Sequence, residues 1–350
     1  MIASENYRRA VLFDKPERIP MSFHINAACW HHYPAGALEE LMATHPLLFP
    51  EFDPDVDHRP RQYALNARVG EPYTDPWGCL WETTDNGITG TVTGHPLAGW
   101  DDFDSFTAPD PLVTDGRFSI DWQRIAERFA EARAQRRLAG GSLPHGHTFL
   151  TLCDIRGYEN LMFDMADQDP RLDRLIEMVE QFNLAIIRRY IDLGADIVGY
   201  PEDLGMQVGP MLSPDHFRRY IKPVYQRMMA PAREEGCMVH MHSDGDIRAL
   251  AEDLVEGGVG ILNLQDLVNG IDWIADNFAG RVCIELDIDR QQITPRGTPD
   301  QIDALIREEV TRLASPDGGL LMIYGLYPGV PLKNVAALMD AMERYAGFYS

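Results

Sequence analysis

The chain has 350 residues and a strong acidic excess, with 54 Asp and Glu against 31 Lys and Arg and a formal net charge of −23. This balance disfavours nucleic acid, anionic membrane surfaces and polyanionic molecules as partners. No apolar run approaches the roughly 20 residues that cross a bilayer, and the N-terminus lacks the apolar segment of a signal peptide. The five cysteines are scattered without a CxxC pair, which argues against a disulfide framework or a structural zinc finger. We therefore expect a cytoplasmic enzyme.

The first 140 residues predict short elements followed by an elaboration of the fold. The earliest predicted elements are a helix at 5–13, a strand at 19–25 and a helix at 37–44. Residues 55–115 show the weakest periodicity, and a charged surface helix is predicted at 121–138. Within them, the Thr- and Gly-rich segments 75–81 and 87–93 are typical of a β-hairpin. We predict one domain over residues 1–350, in which residues 55–140 form an insertion.

From residue 148 onward, predicted strands and helices alternate. The strands are expected at 149–153, 197–200, 238–242, 260–264, 281–286 and 319–324, with helices at 171–193, 214–235 and 247–256 among the connections. Ser213-Pro214 and Thr298-Pro299 mark helix starts, because an N-cap residue precedes a first-turn proline. Such alternation implies a parallel sheet with helical crossovers. With residues 47–49 as a candidate eighth strand, and no GxGxxG motif, we predict an α/β fold of the (β/α)8 TIM-barrel type.

Residues 238–246, Met-Val-His-Met-His-Ser-Asp-Gly-Asp, concentrate metal-ligating residue types. Because side chains alternate along a strand, His240, His242 and Asp244 point the same way. Two imidazoles and a carboxylate form half of a divalent-metal site, and Glu202 from another strand end would complete it. The alternative is that one histidine is a hydrogen-bonded core residue and that the acids cap the following helix.

Polar side chains gather where the predicted strands end, which in a barrel is the catalytic face. Each one alone could be a helix cap or a turn residue. Their repetition at six strand ends favours a site, because buried polar groups without partners are costly. We predict catalytic roles for His242, Asp203, Tyr324, Glu285 and Asp287. We predict substrate-binding roles for His24, Asn26, Asp154, Arg156, Gln207, Gln265 and Tyr327.

Several motifs, spread over the whole chain in order, resemble those of the uroporphyrinogen decarboxylase superfamily. They are Asn-Tyr-Arg-Arg-Ala at 6–10, Lys-Pro-Glu-Arg-Ile-Pro at 15–20, Asp-x-Trp-Gly-Cys-x-Trp at 75–81, Glu-Asp-x-Gly-x-Gln at 202–207, Ser-Pro at 213–214, Lys-Pro at 222–223, His-Ser-Asp-Gly at 242–245 and Pro-Gly-x-Pro-Leu-x-Asn-Val at 328–335. The resemblance implies a TIM barrel with its site at the C-terminal face of the strands, and a homodimer.

Two departures from the superfamily pattern bear on function. True uroporphyrinogen decarboxylases carry an arginine-bearing loop after the first strand, which binds the substrate's carboxylates, whereas residues 22–30 here contain no arginine. The zinc methyltransferases of the superfamily hold their metal with a His-x-Cys motif and a distant cysteine. The matching positions here are Asp244 and a position near Tyr324, so both thiolates are missing. Decarboxylation of uroporphyrinogen is therefore not expected, and a metal site would use the harder histidine and carboxylate ligands.

The resemblance favours a methyltransferase-like enzyme that takes a methyl group from a small methoxylated or methylated metabolite, with a corrinoid protein as acceptor. A divalent metal, with zinc as the first candidate, would activate the leaving atom as a Lewis acid, and Tyr324 would supply a proton. The alternative is a metal-assisted or acid/base lyase or hydrolase that acts on a small polar metabolite without a corrinoid partner. A binding barrel without catalytic activity is the third hypothesis.

Overall fold

The computed structural model describes residues 3–34 and 36–349. The chain divides into two compact units. Unit 1 comprises Met1–Glu71, Glu82–Gly90 and Gln265–Ser350, and unit 2 comprises Pro72–Trp81 and Thr91–Leu264. Among the described residues, no helix combines the length and the apolar character needed to cross a membrane. The single-domain organisation stays a prediction.

The helices and strands follow one another along the chain as follows. The strands are β1 Met21–Ile25, β2 Tyr73–Thr74, β3 Leu80–Glu82, β4 Thr91–Gly94, β5 Gly140–Ser142, β6 Ile197–Pro201, β7 Met238–Ser243, β8 Ile261–Gln265, β9 Cys283–Asp287 and β10 Leu320–Leu326. The helices are α1 Ala3–Val11, α2 Cys29–His32, α3 Ala37–Thr44, α4 Trp122–Ala134, α5 Phe149–Arg156, α6 Tyr158–Asp167, α7 Pro170–Asp192, α8 Pro214–His216, α9 Lys222–Glu234, α10 Ala251–Gly257, α11 Asp266–Asn269, α12 Ile271–Phe278, α13 Ile293–Arg296, α14 Pro299–Leu313 and α15 Leu332–Ala346.

Both units contain parallel strands joined by helices. In unit 2, β5, β6, β7 and β8 lie side by side in that order. In unit 1, β10 pairs with β1 on one side and with β9 on the other. β8 and β9 are buried at every position, as expected for parallel strands covered on both faces. The predicted α/β fold of the (β/α)8 class is confirmed.

The predicted strand at 149–153 is wrong, because these residues form helix α5. The strand of that repeat lies earlier, at β5, and its Gly140-Gly141 pair hides it from a propensity argument, since glycine is depleted in strands. A Cβ at Gly141 would lie 2.3 Å from the ring of Tyr190, so the glycine is required by packing. The candidate strand at 47–49 is also wrong, since that segment is a turn.

The predicted hairpin at 75–81 and 87–93 forms part of a three-stranded sheet in the order β2-β3-β4, in which β2 and β3 are antiparallel. Tyr73 faces Trp81 across β2 and β3, and Thr74 faces Leu80. The Trp81 indole Nε1 donates to the Asp75 carboxylate at 2.8 Å, and the backbone N–H of Cys79 donates to the same carboxylate at 2.9 Å. The Asp-x-Trp-Gly-Cys-x-Trp motif therefore stabilises the bend between two strands.

The helix starts read from the sequence are confirmed. Thr298 and Gln301 form a reciprocal capping box at the start of α14, and Ser213 accepts the N–H of His216 at 3.2 Å. The helix predicted at 214–235 is interrupted by one π-helical turn at Phe217–Ile221. This turn ends two residues before Pro223, which lacks an N–H to donate to a regular helix.

Candidate active site

His242 stands at the end of β7 with its ring held in one orientation. Its Nδ1 is hydrogen-bonded to Oδ1 of Asn263, its register partner on β8. Because an amide oxygen can only accept, Nδ1 carries the donated proton. The other ring nitrogen, Nε2, lies 3.6 Å from Oδ1 of Asp203 and 3.6 Å from Oδ1 of Asp244. A metal-ligating histidine usually donates its non-ligating ring N–H to an acceptor in this way, so Nε2 is the nitrogen that could bind a metal here.

Asp203 joins this histidine to a second one. Its Oδ1 lies 3.2 Å from Nε2 of His145 and accepts the backbone N–H of Asp244 at 3.1 Å. The rings of His145 and His242 are 5.7 Å apart between centroids. One ligand atom from each of His145, Asp203 and His242 can be chosen so that all three lie within 4.8 Å of one another. This spacing is compatible with a single divalent cation bound by all three side chains.

Without a metal ion, the electrostatics of the group make His242 and Asp203 an ion pair. Burial alone would lower the pKa of His242, but the hydrogen bond with Asp203 and the charge of Asp244 outweigh it and raise that pKa to about 9. Burial would raise the pKa of Asp203, but His145 and His242 hold it well below its usual range. At neutral pH the imidazole of His242 is therefore protonated and the carboxyl group of Asp203 is ionised.

Two glycines bring the loops that carry these residues into backbone contact. The backbone N–H of Gly205 donates to the carbonyl of Asp244 at 3.2 Å, and that of Asp246 donates to the carbonyl of Met206 at 2.7 Å. Gly245 has φ +82°, and a Cβ there would lie 2.2 Å from the carbonyl carbon of Gly205. Since only glycine fits at such a crossing, the two loops fix the separation of Asp203 and Asp244.

The structure does not bring Glu202 into this group. Its fully buried carboxylate accepts the backbone N–H groups of Thr148, Phe149 and Leu150 at 2.8 to 3.1 Å and the hydroxyl of Tyr225 at 2.8 Å. Glu202 therefore caps the N-terminus of α5, where a negative charge is favourable. A sequence reading could not separate this role from metal binding, because the capped helix lies about 50 residues away.

His240 shares the face of β7 with His242, as the alternating burial of the strand requires. Among the described residues, the group of His145, Asp203 and His242 does not include it. Gln207 lies exposed in the loop after β6. The roles predicted for these two residues stay predictions.

Asp154 and Arg156 lie on a helix rather than at a strand end. Arg156 is buried and pairs with Asp164 at 2.8 Å, so its guanidinium is engaged within unit 2. Asp154 lies 3.4 Å from the guanidinium of Arg117, and burial outweighs that cation and raises the pKa of Asp154 to about 7. Asp154 can therefore change its charge near neutral pH. The substrate-binding roles of Asp154 and Arg156 stay predictions.

The other predicted site residues belong to unit 1. The Tyr324 hydroxyl lies 3.1 Å from Oγ1 of Thr294, and burial raises the pKa of Tyr324 above its usual value. Asp287 pairs with Arg290 at 2.8 Å, and Tyr327 is exposed beside the same guanidinium. Four predicted residues remain. His24 is exposed in β1, and Asn26 accepts the N–H of Ala28. Gln265 is the buried last residue of β8, and Glu285 is buried in β9.

His145 is the residue that sequence reasoning missed. It follows β5 in the segment Pro144-His-Gly-His147 and so occupies the strand-end position that the prediction gave to Asp154. The missed strand explains the missed residue, since strand ends were the signal used. The His-Gly-His triplet was the one local indication of this position.

Comparison with known proteins identifies the family. Residues 89–345 match the family model described as uroporphyrinogen decarboxylase (URO-D). The chain belongs to this family. It is similar to the uroporphyrinogen decarboxylases of two strains of Thermus thermophilus, each 27% identical over 188 residues, which are 52% of this chain and 51% of the relative. The chain thus matches about half the length of these curated relatives.

A solved structure extends the comparison to the whole chain. The methyltransferase from Methanosarcina mazei matches with a TM-score of 0.67 and 18% identity, over 99% of each chain. At this identity the match establishes the fold of this URO-D family member and nothing about its chemistry. The resemblance inferred from the motifs is confirmed at the level of family and fold.

Proposed function

We propose that this URO-D family member is a methyltransferase-like enzyme that demethylates a small methoxylated or methylated metabolite, with a corrinoid protein as methyl acceptor. The observation that carries the proposal is the group of His145, Asp203 and His242, with Asp244 beside it, at the ends of neighbouring strands. The name of the Methanosarcina mazei structure agrees with the reaction class. The absence of arginine from residues 22–30 argues against the decarboxylation in the family's name.

The residues of this group suit a divalent metal. Imidazole nitrogens and carboxylate oxygens are ligands of zinc, iron and manganese. His145, Asp203, His242 and Asp244 would hold the ion, which would supply Lewis-acid activation of the atom that loses the methyl group. The site would not follow the thiolate pattern of the superfamily's zinc enzymes, because Asp244 replaces the cysteine of the His-x-Cys motif.

The chain's own residues would do the positioning. Asn263 holds the ring of His242 so that Nε2 faces the carboxylates of Asp203 and Asp244. The close approach of Gly205 and Gly245 holds Asp203 beside Asp244. Tyr324, the predicted proton donor, is protonated at neutral pH as any tyrosine is, and burial raises its pKa further, which makes its hydroxyl a weaker acid.

The second candidate function is a metal-assisted or acid/base lyase or hydrolase without a corrinoid partner, and one observation favours its acid/base form. Without a metal ion, His242 is a protonated imidazolium. Its pKa is raised to about 9 despite burial, because Asp203 and Asp244 face it. A cationic imidazole beside two carboxylates can act as a general acid on a leaving oxygen without a metal.

Elemental analysis of protein purified without a histidine tag separates the two candidates. We expect near-stoichiometric zinc, manganese or iron in the wild type and its loss in His242→Ala. His216→Ala, a histidine of the same unit outside the group, is the matched control and should keep the metal. Methylation of a reduced corrinoid should then be followed with a panel of methoxylated and methylated compounds. An active, metal-free wild type that resists chelators would reject the metal and favour the acid/base enzyme.

A further inference from the structure

Unit 1 contains two buried carboxyl groups that the proposed function does not use. Asp266 begins α11 and is 1% exposed, and Glu309 lies in α14 and is 0% exposed. A hydrogen bond between the two side chains acts on the ionisation of both, so the carboxyl groups lie within hydrogen-bond reach of each other in the core. Two ionised carboxylates in contact, without water, repel each other strongly.

The two carboxyl groups differ in their hydrogen bonds. Asp266 accepts the backbone N–H of Leu267 on Oδ1 and that of Asp289 at 2.9 Å on Oδ2. Two backbone donors stabilise the ionised form of Asp266. Neither side-chain oxygen of Glu309 has a donor within hydrogen-bond distance. Glu309 is therefore the member of the pair that can be neutral without leaving donors unsatisfied.

The charged groups that act on Glu309 are acids. Besides Asp266 they are Asp289 and Glu308, and burial together with these charges raises the pKa of Glu309 well above its usual value. Asp289 gives its own carboxylate to the backbone N–H groups of residues 291–294. Two arginines of the packed helices are paired with other acids: Arg312 of α14 with Asp272 of α12, and Arg344 of α15 with Asp303.

We propose that Asp266 and Glu309 share one proton, carried by Glu309 and donated to Asp266, so that the pair has a single negative charge at neutral pH. A bound cation would be the other way to relieve the repulsion. Among the residues that the structure describes, no third histidine, cysteine or carboxylate comes close enough to form a metal-binding group with this pair. Two carboxylates alone do not meet the six or more oxygen ligands that calcium requires, or the octahedral set that magnesium requires.

Asp266 connects the buried pair to the loop after β9 through hydrogen bonds. Asp266 holds the backbone of Asp289, and the carboxylate of Asp289 caps the start of α13. In α13, Oγ1 of Thr294 lies 3.1 Å from the hydroxyl of Tyr324. Loss of the proton at high pH would place a second charge beside Asp266 and weaken this connection to Tyr324.

Urea unfolding of wild type and Glu309→Gln between pH 5 and pH 8 tests the proposal. The folded state holds a proton that unfolded Glu309, with an ordinary pKa of 4.5, has lost. The folding equilibrium constant of the wild type should therefore fall, relative to that of Glu309→Gln, by a factor of ten per pH unit until the folded-state pKa is reached. Glu308→Gln, which removes an exposed acid from the same helix, should remain parallel to the wild type.

Two outcomes with the glutamine variants would overturn the proposal. One is a Glu309→Gln profile parallel to that of the wild type, which would mean that Glu309 is ionised in the folded protein. The other is a tightly bound cation that Glu308→Gln retains and Glu309→Gln loses. If Glu309→Gln does not fold, the infrared carbonyl band of a buried carboxylic acid provides the test in the wild type, since Asp266→Asn should shift it. Absence of that band at pH 7 would be equally decisive against the shared proton.

Discussion

The close backbone approach of Gly205 and Gly245, in the loops that carry the candidate metal ligands, predicts the size of the effect of Gly245→Ala. Gly245 has φ +82°, and its added Cβ would lie 2.2 Å from the carbonyl carbon and 2.3 Å from the carbonyl oxygen of Gly205. These are backbone atoms of the loop that carries Asp203, so no side-chain rotation relieves the clash. The loops must separate, and Asp203 would move away from Asp244.

The expected loss combines two terms. A left-handed backbone costs an alanine about 1–2 kcal/mol, and overpacking costs roughly 1–3 kcal/mol more. We therefore expect Gly245→Ala to lose about 2–5 kcal/mol of unfolding free energy. Gly209→Ala isolates the first term, because Gly209 has φ +85° in the neighbouring loop and an added Cβ there would meet nothing within 4 Å.

Urea unfolding of both variants, with metal content measured on the same samples, checks this prediction. Gly245→Ala should be clearly less stable than Gly209→Ala and should bind metal more weakly, whereas Gly209→Ala should keep the wild-type metal content. Equal stabilities within about 0.5 kcal/mol, the usual size of a neutral surface substitution, would refute the crossing.

Three further predictions follow from single contacts. Burial raises the pKa of Asp154 from 3.8 to about 7, so the unfolding free energy of the wild type should fall by at most about 4 kcal/mol as pH rises from about 4 to 7. Asp154→Asn should remove this pH dependence in urea titrations. Glu202→Gln should cost about 3 kcal/mol in the same assay, since an amide NH2 would face backbone donors, and a loss below about 0.5 kcal/mol would contradict the cap. Asn263→Leu removes the acceptor of His242 and should weaken metal binding roughly 10- to 100-fold in competition with a chelator. Unchanged affinity would show that the ring needs no such orientation.

Local patterns in the sequence were sufficient for most of the fold. Strand–helix alternation predicted the parallel strands from β6 to β10, and period-2 alternation correctly placed His240 and His242 on one face of β7. The Thr298 cap was readable because its partner lies three residues away. These features depend on interactions within one element or between neighbours along the chain, which the order of residue types encodes directly.

Only the tertiary structure decided which polar residues meet. Gly141 is in a strand because the ring of Tyr190, about 50 residues later, leaves no space for a side chain, and with that strand came His145. Glu202 and Asp203 are adjacent acids, yet one caps a helix from a distant segment while the other joins two histidines. Hydrogen-bond partners and steric limits supplied by residues far along the chain carry no signature in the local sequence. That is why the strands could be read in advance and the composition of the site could not.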